Sequence, residues 1–495
     1  MDLALQSNWR LVVPCAVLGA TGLYVFVSNA RFALKYKGKK LPPVYKGGFQ
    51  LPILGAVTQF LWDPLAMARR AEAEVGDIFT VIICGQRLTF MSGPEAQEKF
   101  CKANDDQLSQ QEAYRFSVPL FGEGVVYDAD MPTRKEQFKF VTNSLHTTAL
   151  NQYVPQMVEE AEQYFAQWGP SGEVDIYKAL SELIIQTASR CLMGAEIRGR
   201  LFKEVSELYA TLDKGCLPVS FFAPYLPIPA HWNRDKARAQ MVKLFQGIIE
   251  ERRRENRKGD DVLQVFMDAT YTNEGRRGQR LSTNEVTGLM IALLFAGQHT
   301  SSVTSSWTGL YLLHHTHLLP ELLEEQKKAG ALDGNSIRGM QLLHGCVSEA
   351  LRLQPPLIFV MRKVLKQEKP NQEFQFNGYT VPEGDIIFVS PSLAGRRKEV
   401  WSNPDAYDPH RFLEPRIEHH PKAYPNAWLG FGGGRHRCIG ENFAYMQIKT
   451  IWSYLLRNFE MEAVGELPKP NYEALVVGPT PPCIIKYKRR ATPLC

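Results

Sequence analysis

No Asn-x-Ser/Thr acceptor occurs anywhere in the 495 residues, and no two of the nine cysteines stand in a Cys-x-x-Cys pair. An odd number of scattered cysteines argues against a disulfide framework. Together with the missing glycosylation acceptors it points to a reducing, cytosolic environment. Gly/Ser linkers, low-complexity tracts and fixed-period repeats are also absent. Length alone would suggest about three domains at roughly 150 residues each, but with nothing to divide the chain we expect one large catalytic body. No G-x-G-x-x-G follows a strand-like run, so a nicotinamide or flavin would belong to a separate protein. Strong charge is lacking too: 57 Lys+Arg against 52 Asp+Glu leave +5. That suits a basic patch for an acidic partner or a membrane surface, not a nucleic-acid binder.

What is present begins with an uncharged apolar run, Leu11 to Val27. At about 1.5 Å per residue it just spans a hydrocarbon core of about 30 Å. Arg31, Lys35, Lys37, Lys39 and Lys40 follow, then Leu41-Pro42-Pro43. The basic flank places that side in the cytosol, and the Pro pair favours an extended hinge over a continued helix. Ser28-Asn29-Ala30 resembles a signal-peptide cleavage site, but a secreted fate fits poorly with unpaired cysteines. We expect residues 1–40 to form a transmembrane anchor and hinge, and 41–495 the catalytic domain.

Behind the hinge the pattern is mainly α with small β-sheets. Helical periodicity marks Val154–Trp168, Ile176–Met193 and Arg234–Arg257. Short strand-like pieces at Ile78–Cys84, Arg87–Met91, Phe374–Phe376 and Ile386–Val389 lie near Gly, Asn or Pro. Ser282-Thr283-Asn284-Glu285 is a capping box opening a helix that could reach His314. Its apolar stretch Leu289–Ala296 is too short to cross a bilayer, which predicts a buried central helix. Gly297 and Thr300 interrupt it, as a helix needing space beside it would require. His314-His315-Thr316-His317 at its end lacks acid or Cys partners at ligand spacing, so no metal is expected there.

The strongest chemical signal is Phe431-Gly432-Gly433-Gly434-Arg435-His436-Arg437-Cys438-Ile439-Gly440. Three glycines let backbone approach a flat ligand closely. Cys438 stands where a helix over Glu441–Leu456 starts. That helix N-terminus, with Arg435 and Arg437, is expected to lower the thiol pKa and stabilise a thiolate. Upstream, Glu349-Ala350-Leu351-Arg352 sets opposite charges at i and i+3, and Asp408-Pro409-His410-Arg411-Phe412 adds a second Arg.

In this order, Glu-x-x-Arg, Pro-x-Arg-Phe and Phe-Gly-Gly-Gly-x-x-x-Cys-x-Gly resemble the cytochrome P-450 superfamily. Three further segments resemble its sterol 14α-demethylase family: His436 two places before the cysteine, Ala296-Gly297-Gln298-His299-Thr300 in the central helix, and the loop Tyr114 to Tyr127, YRFSVPLFGEGVVY. The alternative is another microsomal haem-thiolate monooxygenase acting on a different lipid or xenobiotic, against which the loop argues.

The resemblance implies a cytochrome P-450 fold holding haem b, with Cys438 as thiolate ligand to the iron. Glu349, Arg352 and Arg411 would form a buried triad behind the haem loop. Tyr114, Tyr127, Arg362 and His436 would meet the haem propionates. The usual Trp-x-x-x-Arg is absent, leaving Lys135 and Lys139 as a further cation, not separable from the sequence. Thr300 would serve oxygen activation, and His299 with Asp213 would relay protons, or be a structural pair. Tyr114, Phe116, Phe121, Val126, Ala296, Leu357 and Met361 would line the substrate pocket. The implied reaction removes the 14α-methyl of a sterol in three steps using O2 and NADPH, with release of formate. Phe116 favours an obtusifoliol-like 4α-monomethyl sterol, with lanosterol possible. The implied partners are an NADPH-cytochrome reductase flavoprotein and the endoplasmic reticulum membrane, crossed once with the catalytic domain cytosolic. Azole inhibitors would ligate the iron.

Overall fold

The computed structural model describes residues 27–48, 50, 55–367, 372–419 and 425–494. The expected membrane span Leu11–Val27 lies outside them but for its last position. Residues 27–35 are helical and sit at one end of a sheet, with the Arg87 guanidinium 5.0 Å from the Phe32 ring and Lys35 paired to Glu383 at 2.5 Å.

That sheet has five strands: β1 (Ile78–Ile83), β2 (Gln86–Met91), β3 (Leu108–Ser109), β4 (Val360–Val364) and β5 (Ile386–Val389), in the order β1-β2-β5-β4-β3. The β2–β5 pair is parallel and the others antiparallel. Alternation gives it two apolar faces. Phe79, Val81 and Phe388 enter one cluster, Ile78, Ile387 and Val389 the other. A three-stranded sheet of Ser171–Asp175, Ile484–Arg489 and Phe459–Ala463 was not foreseen. Its strands alternate apolar residues with exposed charge and bury one face only, a weak local signal.

The helical body comprises α1 (Met131–Ser144), α2 (Thr147–Ala166), α3 (Ile176–Ala188), α4 (Phe202–Lys214), α5 (Pro229–Arg254), α6 (Thr283–His314), α7 (Gln341–Leu353) and α8 (Glu441–Asn458). At its centre is α6, packed against α3, α5, α7 and α8. Its cap forms as expected: Glu285 N–H donates to Ser282 Oγ and Ser282 N–H to Glu285 Oε2. By length and composition α6 alone among the described residues passes for a membrane span, but it is the core helix, with Trp307 and Leu312 fully buried. The expected run Ile176–Met193 is α only to Ala188 and continues as a π turn over Ser189–Met193.

Candidate functional site

The stretches on either side of α6's middle are closed and the middle itself is open. Leu289–Ile291 and Ser301–Leu313 are buried, whereas Ala296 is exposed and Gly297, His299 and Thr300 are half-buried. A Cβ on Gly297 would meet nothing within 4 Å. Helix surface exposed at the centre of a packed body marks an internal space.

Cys438 faces such a space as well, enclosed by protein yet accessible. Its N–H donates to the Phe431 carbonyl at 2.8 Å, which closes the glycine loop. Gly432 and Gly434 hold positive φ, and a Cβ on Gly434 would strike the Cys101 carbonyl, so glycine is required for the close approach. The expectation of an acidified thiol is corrected. Burial pushes the Cys438 thiol above its ordinary value, outweighing the backbone N–H groups of Gly440 and Glu441 and the Arg437 charge, which pull it down. Arg437 is also held by Glu441 at 2.6 and 2.7 Å, and Arg435 bonds Asn104 at 2.6 Å. A thiolate here is completed by a cation that displaces its proton.

Beside the loop lies a cluster with more positive than negative charge. Arg362 and Arg134 are almost fully buried. Arg362 donates to the Phe100 carbonyl at 2.5 Å and Arg134 to Gln110 Oε1 at 2.6 Å, and the Arg134 Nε is buried with no partner. Arg134 lies 5.1 Å from the Tyr127 ring, itself stacked at 5.4 Å on Tyr114. His436 Nε2 meets Asp105 at 2.5 Å. Burial, then the Arg362 charge, lowers its pKa, with Arg134 adding and Asp105 opposing. Burial raises both phenols and lowers both guanidiniums. Two desolvated guanidiniums sharing one nearby carboxylate are costly without an anion, so two carboxylates of a bound group fit here. Lys135 and Lys139 are both exposed on α1 and take no part in the cluster. The buried cation is their neighbour Arg134, which sequence reasoning missed. Its signal was helical phase, since Arg134 shares the inward face with Gln137 and Val141.

The loop between them is pinned by Gln137, fully buried on α1. The Val126 N–H donates to Gln137 Oε1 at 2.8 Å, and Gln137 Nε2 donates to the Gly124 carbonyl at 2.8 Å. Val126 sits at φ 48°, a strained conformation for a β-branched residue that persists only where surroundings impose it. Its side chain is buried in the main core. Phe121 lies near Tyr127 and Phe295 at 6.3 and 6.4 Å. Phe116 reaches Phe221 at 5.4 Å, on the wall of an open groove of about 500 Å³. Leu357 is 39% exposed and Met361 half-buried, with the Met361 N–H reaching the Tyr114 phenol.

Thr300 donates its proton to the Ala296 carbonyl at 2.6 Å. The hydroxyl bonds its own helix, leaving its lone pairs to accept. His299 Nε2 lies 3.2 Å from Asp213 Oδ1, but the alignment makes no hydrogen bond. Glu349, Arg352 and Arg411 do come together. Arg352 Nε donates to Glu349 Oε2 at 2.6 Å and Arg411 Nε to Oε1 at 3.0 Å, all three side chains fully buried.

The family model of Cytochrome P450 matches residues 46–487. Obtusifoliol 14-alpha demethylase of Sorghum bicolor is 44% identical, over 99% of this chain and 99% of its own. Sterol 14-demethylase of Arabidopsis thaliana is 44% identical, over 98% and 99%. Lanosterol 14-alpha demethylase of Homo sapiens is 36% identical, over 97% and 93%. Among solved structures, retinoic acid bound cyanobacterial CYP120A1 shares the fold at TM-score 0.79 and 23% identity, over 92% of this chain and 100% of that one. Members of this family hold a thiolate-ligated haem iron, for which an open cysteine beside unbalanced buried cations is suited. The chain belongs to the cytochrome P450 family, and within it to the sterol 14α-demethylases.

Proposed function

We propose that this protein removes the 14α-methyl group of a sterol in three successive oxygenations, releasing formate, with haem b on Cys438. When bound, the haem iron supplies the oxidising chemistry, one O2 and two electrons being consumed per step. The observation that carries the proposal is the open, accessible Cys438 beside a buried cluster rich in cations. In that cluster Arg134, Arg362, Tyr114, Tyr127 and His436 would hold the propionates. Electrons would come from NADPH through a separate flavoprotein reductase, and azoles would ligate the iron. Residues 1–40 would anchor the catalytic domain 41–495 on the cytosolic side of the endoplasmic reticulum. A carbon-monoxide difference spectrum of the reduced protein, followed by turnover with a panel of 14α-methyl sterols, tests it. A thiolate spectrum without demethylation of any of them would refute the sterol assignment.

Within the cavity, Ala296, Phe121, Val126, Leu357, Met361 and Tyr114 would wall the sterol with apolar surface and one phenol. His299 and Asp213 would pass protons inward from the half-exposed acid. With its proton held by Ala296, Thr300 would position a water by accepting from it, and that water would deliver the proton. Thr300→Ala is therefore expected to bind sterol normally but divert electrons to hydrogen peroxide. The product formed per NADPH should fall while the NADPH rate is largely kept, and unchanged coupling would remove Thr300 from proton delivery.

Phe116 would limit room near the sterol C4 carbon. Overpacking costs about 1–3 kcal/mol, roughly a 5- to 150-fold preference, so obtusifoliol is expected to be demethylated faster than lanosterol. Phe116→Leu should narrow the difference when both sterols compete in one reaction. Equal consumption by the wild type, or no shift in the variant, refutes the assignment.

A further inference from the structure

Arg238 lies on α5, outside both the cationic cluster and the apolar lining, yet α5, the Phe121–Glu123 backbone and the start of α6 meet at it. Its Nη2 donates to the Phe121 carbonyl and to Asn284 Oδ1, each at 2.8 Å. Asn284, in the first turn of α6, turns its amide back and donates to the Glu123 carbonyl at 3.1 Å. Gly122, between these carbonyls, holds φ +107°, and a Cβ there would overlap the Arg238 guanidinium. The Phe121 carbonyl also presses on Gly288 of α6, where a Cβ would collide with it. Among the described residues Arg238 forms no ion pair, and its Nε is buried without a partner. Its hydrogen bonds go to backbone and amide oxygens, tying segments together, while the Glu123 and Asp235 carboxylates act on it only at longer range.

Elsewhere the loop is secured from α1, through Gln137 to Gly124 and Val126. The stretch carrying Phe121 has its polar ties to α5 and α6 through Arg238 and Asn284. A bulky ligand entering beside Phe121 would displace this stretch, breaking the Arg238–Phe121 and Asn284–Glu123 bonds, or lift α5, breaking both Arg238 bonds, so the Arg238–Phe121 bond is lost either way.

We propose that Arg238 is a positioning residue, a latch that ties α5 to the Phe121–Glu123 backbone and to the start of α6, and that sets how fast bulky ligands enter and leave the cavity. It rests on the cavity proposed above being the ligand site. The test uses the full-length haem-loaded protein, with ketoconazole binding and release followed by stopped-flow absorbance and kcat and KM measured for obtusifoliol. Arg238→Met, which keeps bulk but no donors, should release ketoconazole about 10- to 100-fold faster, as losing charge-assisted bonds implies. Its KM should rise more than its kcat falls. Arg238→Lys, which restores a donor, should recover most of the effect. Gly122→Ala, which evicts the guanidinium and also strains the backbone at φ +107°, should release ketoconazole at least as fast as Arg238→Met, and the double variant should be no faster than Gly122→Ala alone. Wild-type release rates in both single variants, or an additive double variant, would overturn the latch. If either variant loses haem, Asn284→Ala decides in the same way, losing the bonds to Arg238 and to the Glu123 carbonyl, faster release supporting the latch and unchanged release overturning it. A wild type that binds ketoconazole but demethylates no sterol defeats the functional proposal, while the release rates still decide the latch.

Discussion

Cys438→Ser yields a protein whose reduced carbonyl complex lacks the red-shifted thiolate band and whose sterol turnover falls to background. The sulfur is what matters. A serine hydroxyl in the same buried setting stays protonated, and without a thiolate no electron density is pushed onto the iron to favour O–O cleavage. The geometry around Cys438 tolerates the change, because its N–H bond to the Phe431 carbonyl does not involve the side chain. Loss of signal should therefore occur in folded protein with a far-ultraviolet circular dichroism spectrum like the wild type's. A variant retaining the thiolate band would show that another residue holds the iron.

Glu349→Ala has the largest expected effect on stability. Glu349 serves two guanidiniums that are both fully buried, and its Oε1 also accepts the Asp408 N–H at 2.8 Å. Removing one partner of a buried ion pair costs about 3–5 kcal/mol. Arg411 keeps Glu418 at 2.8 Å and Arg352 keeps the Pro404 and Ala406 carbonyls at 2.6 and 2.9 Å, so the lower end of that range is expected. Exposed Glu324, paired with Lys327 at 2.6 Å, is the control, since a solvent-exposed pair contributes little to stability. Denaturant unfolding of Glu349→Ala and Glu324→Ala compares them, and equal midpoints would mean the triad does not hold the fold. Glu418 adds a pH signature. Burial raises its pKa, but hydrogen bonds from Ser402 and Arg416 and the Arg411 charge bring it down to about 2. A depressed carboxylate contributes stability that is present above the unfolded pKa, about 4.3, and is lost as pH falls toward 2.

Much of this was legible from local pattern. The cap at Ser282 and Glu285, the extent of α6, the strands at Ile78 and Ile386 and the start of α8 after Gly440 all follow from periodicity and punctuation within a few residues. The Gly-rich run before Cys438 and the Glu349–Arg352 spacing are equally local. With the Tyr114–Tyr127 loop they were enough to indicate the family.

What the sequence by itself determined is the family and which stretches form the main helices. The tertiary structure decided which cation is buried. Arg134 and Lys135 are adjacent in sequence, but one position is about 100° of helix rotation, and only the packing of α1 onto its neighbours selects the inward one. It also decided the direction of the Cys438 pKa, where burial outweighs the backbone N–H groups of Gly440 and Glu441 and the Arg437 charge. The Arg238 latch joins residues 121, 238 and 284, and nothing in their separate neighbourhoods marks them as partners. Hydrophobic period and capping are encoded between near neighbours, whereas burial, desolvation and hydrogen-bond partnership arise between segments that meet only when the chain has folded.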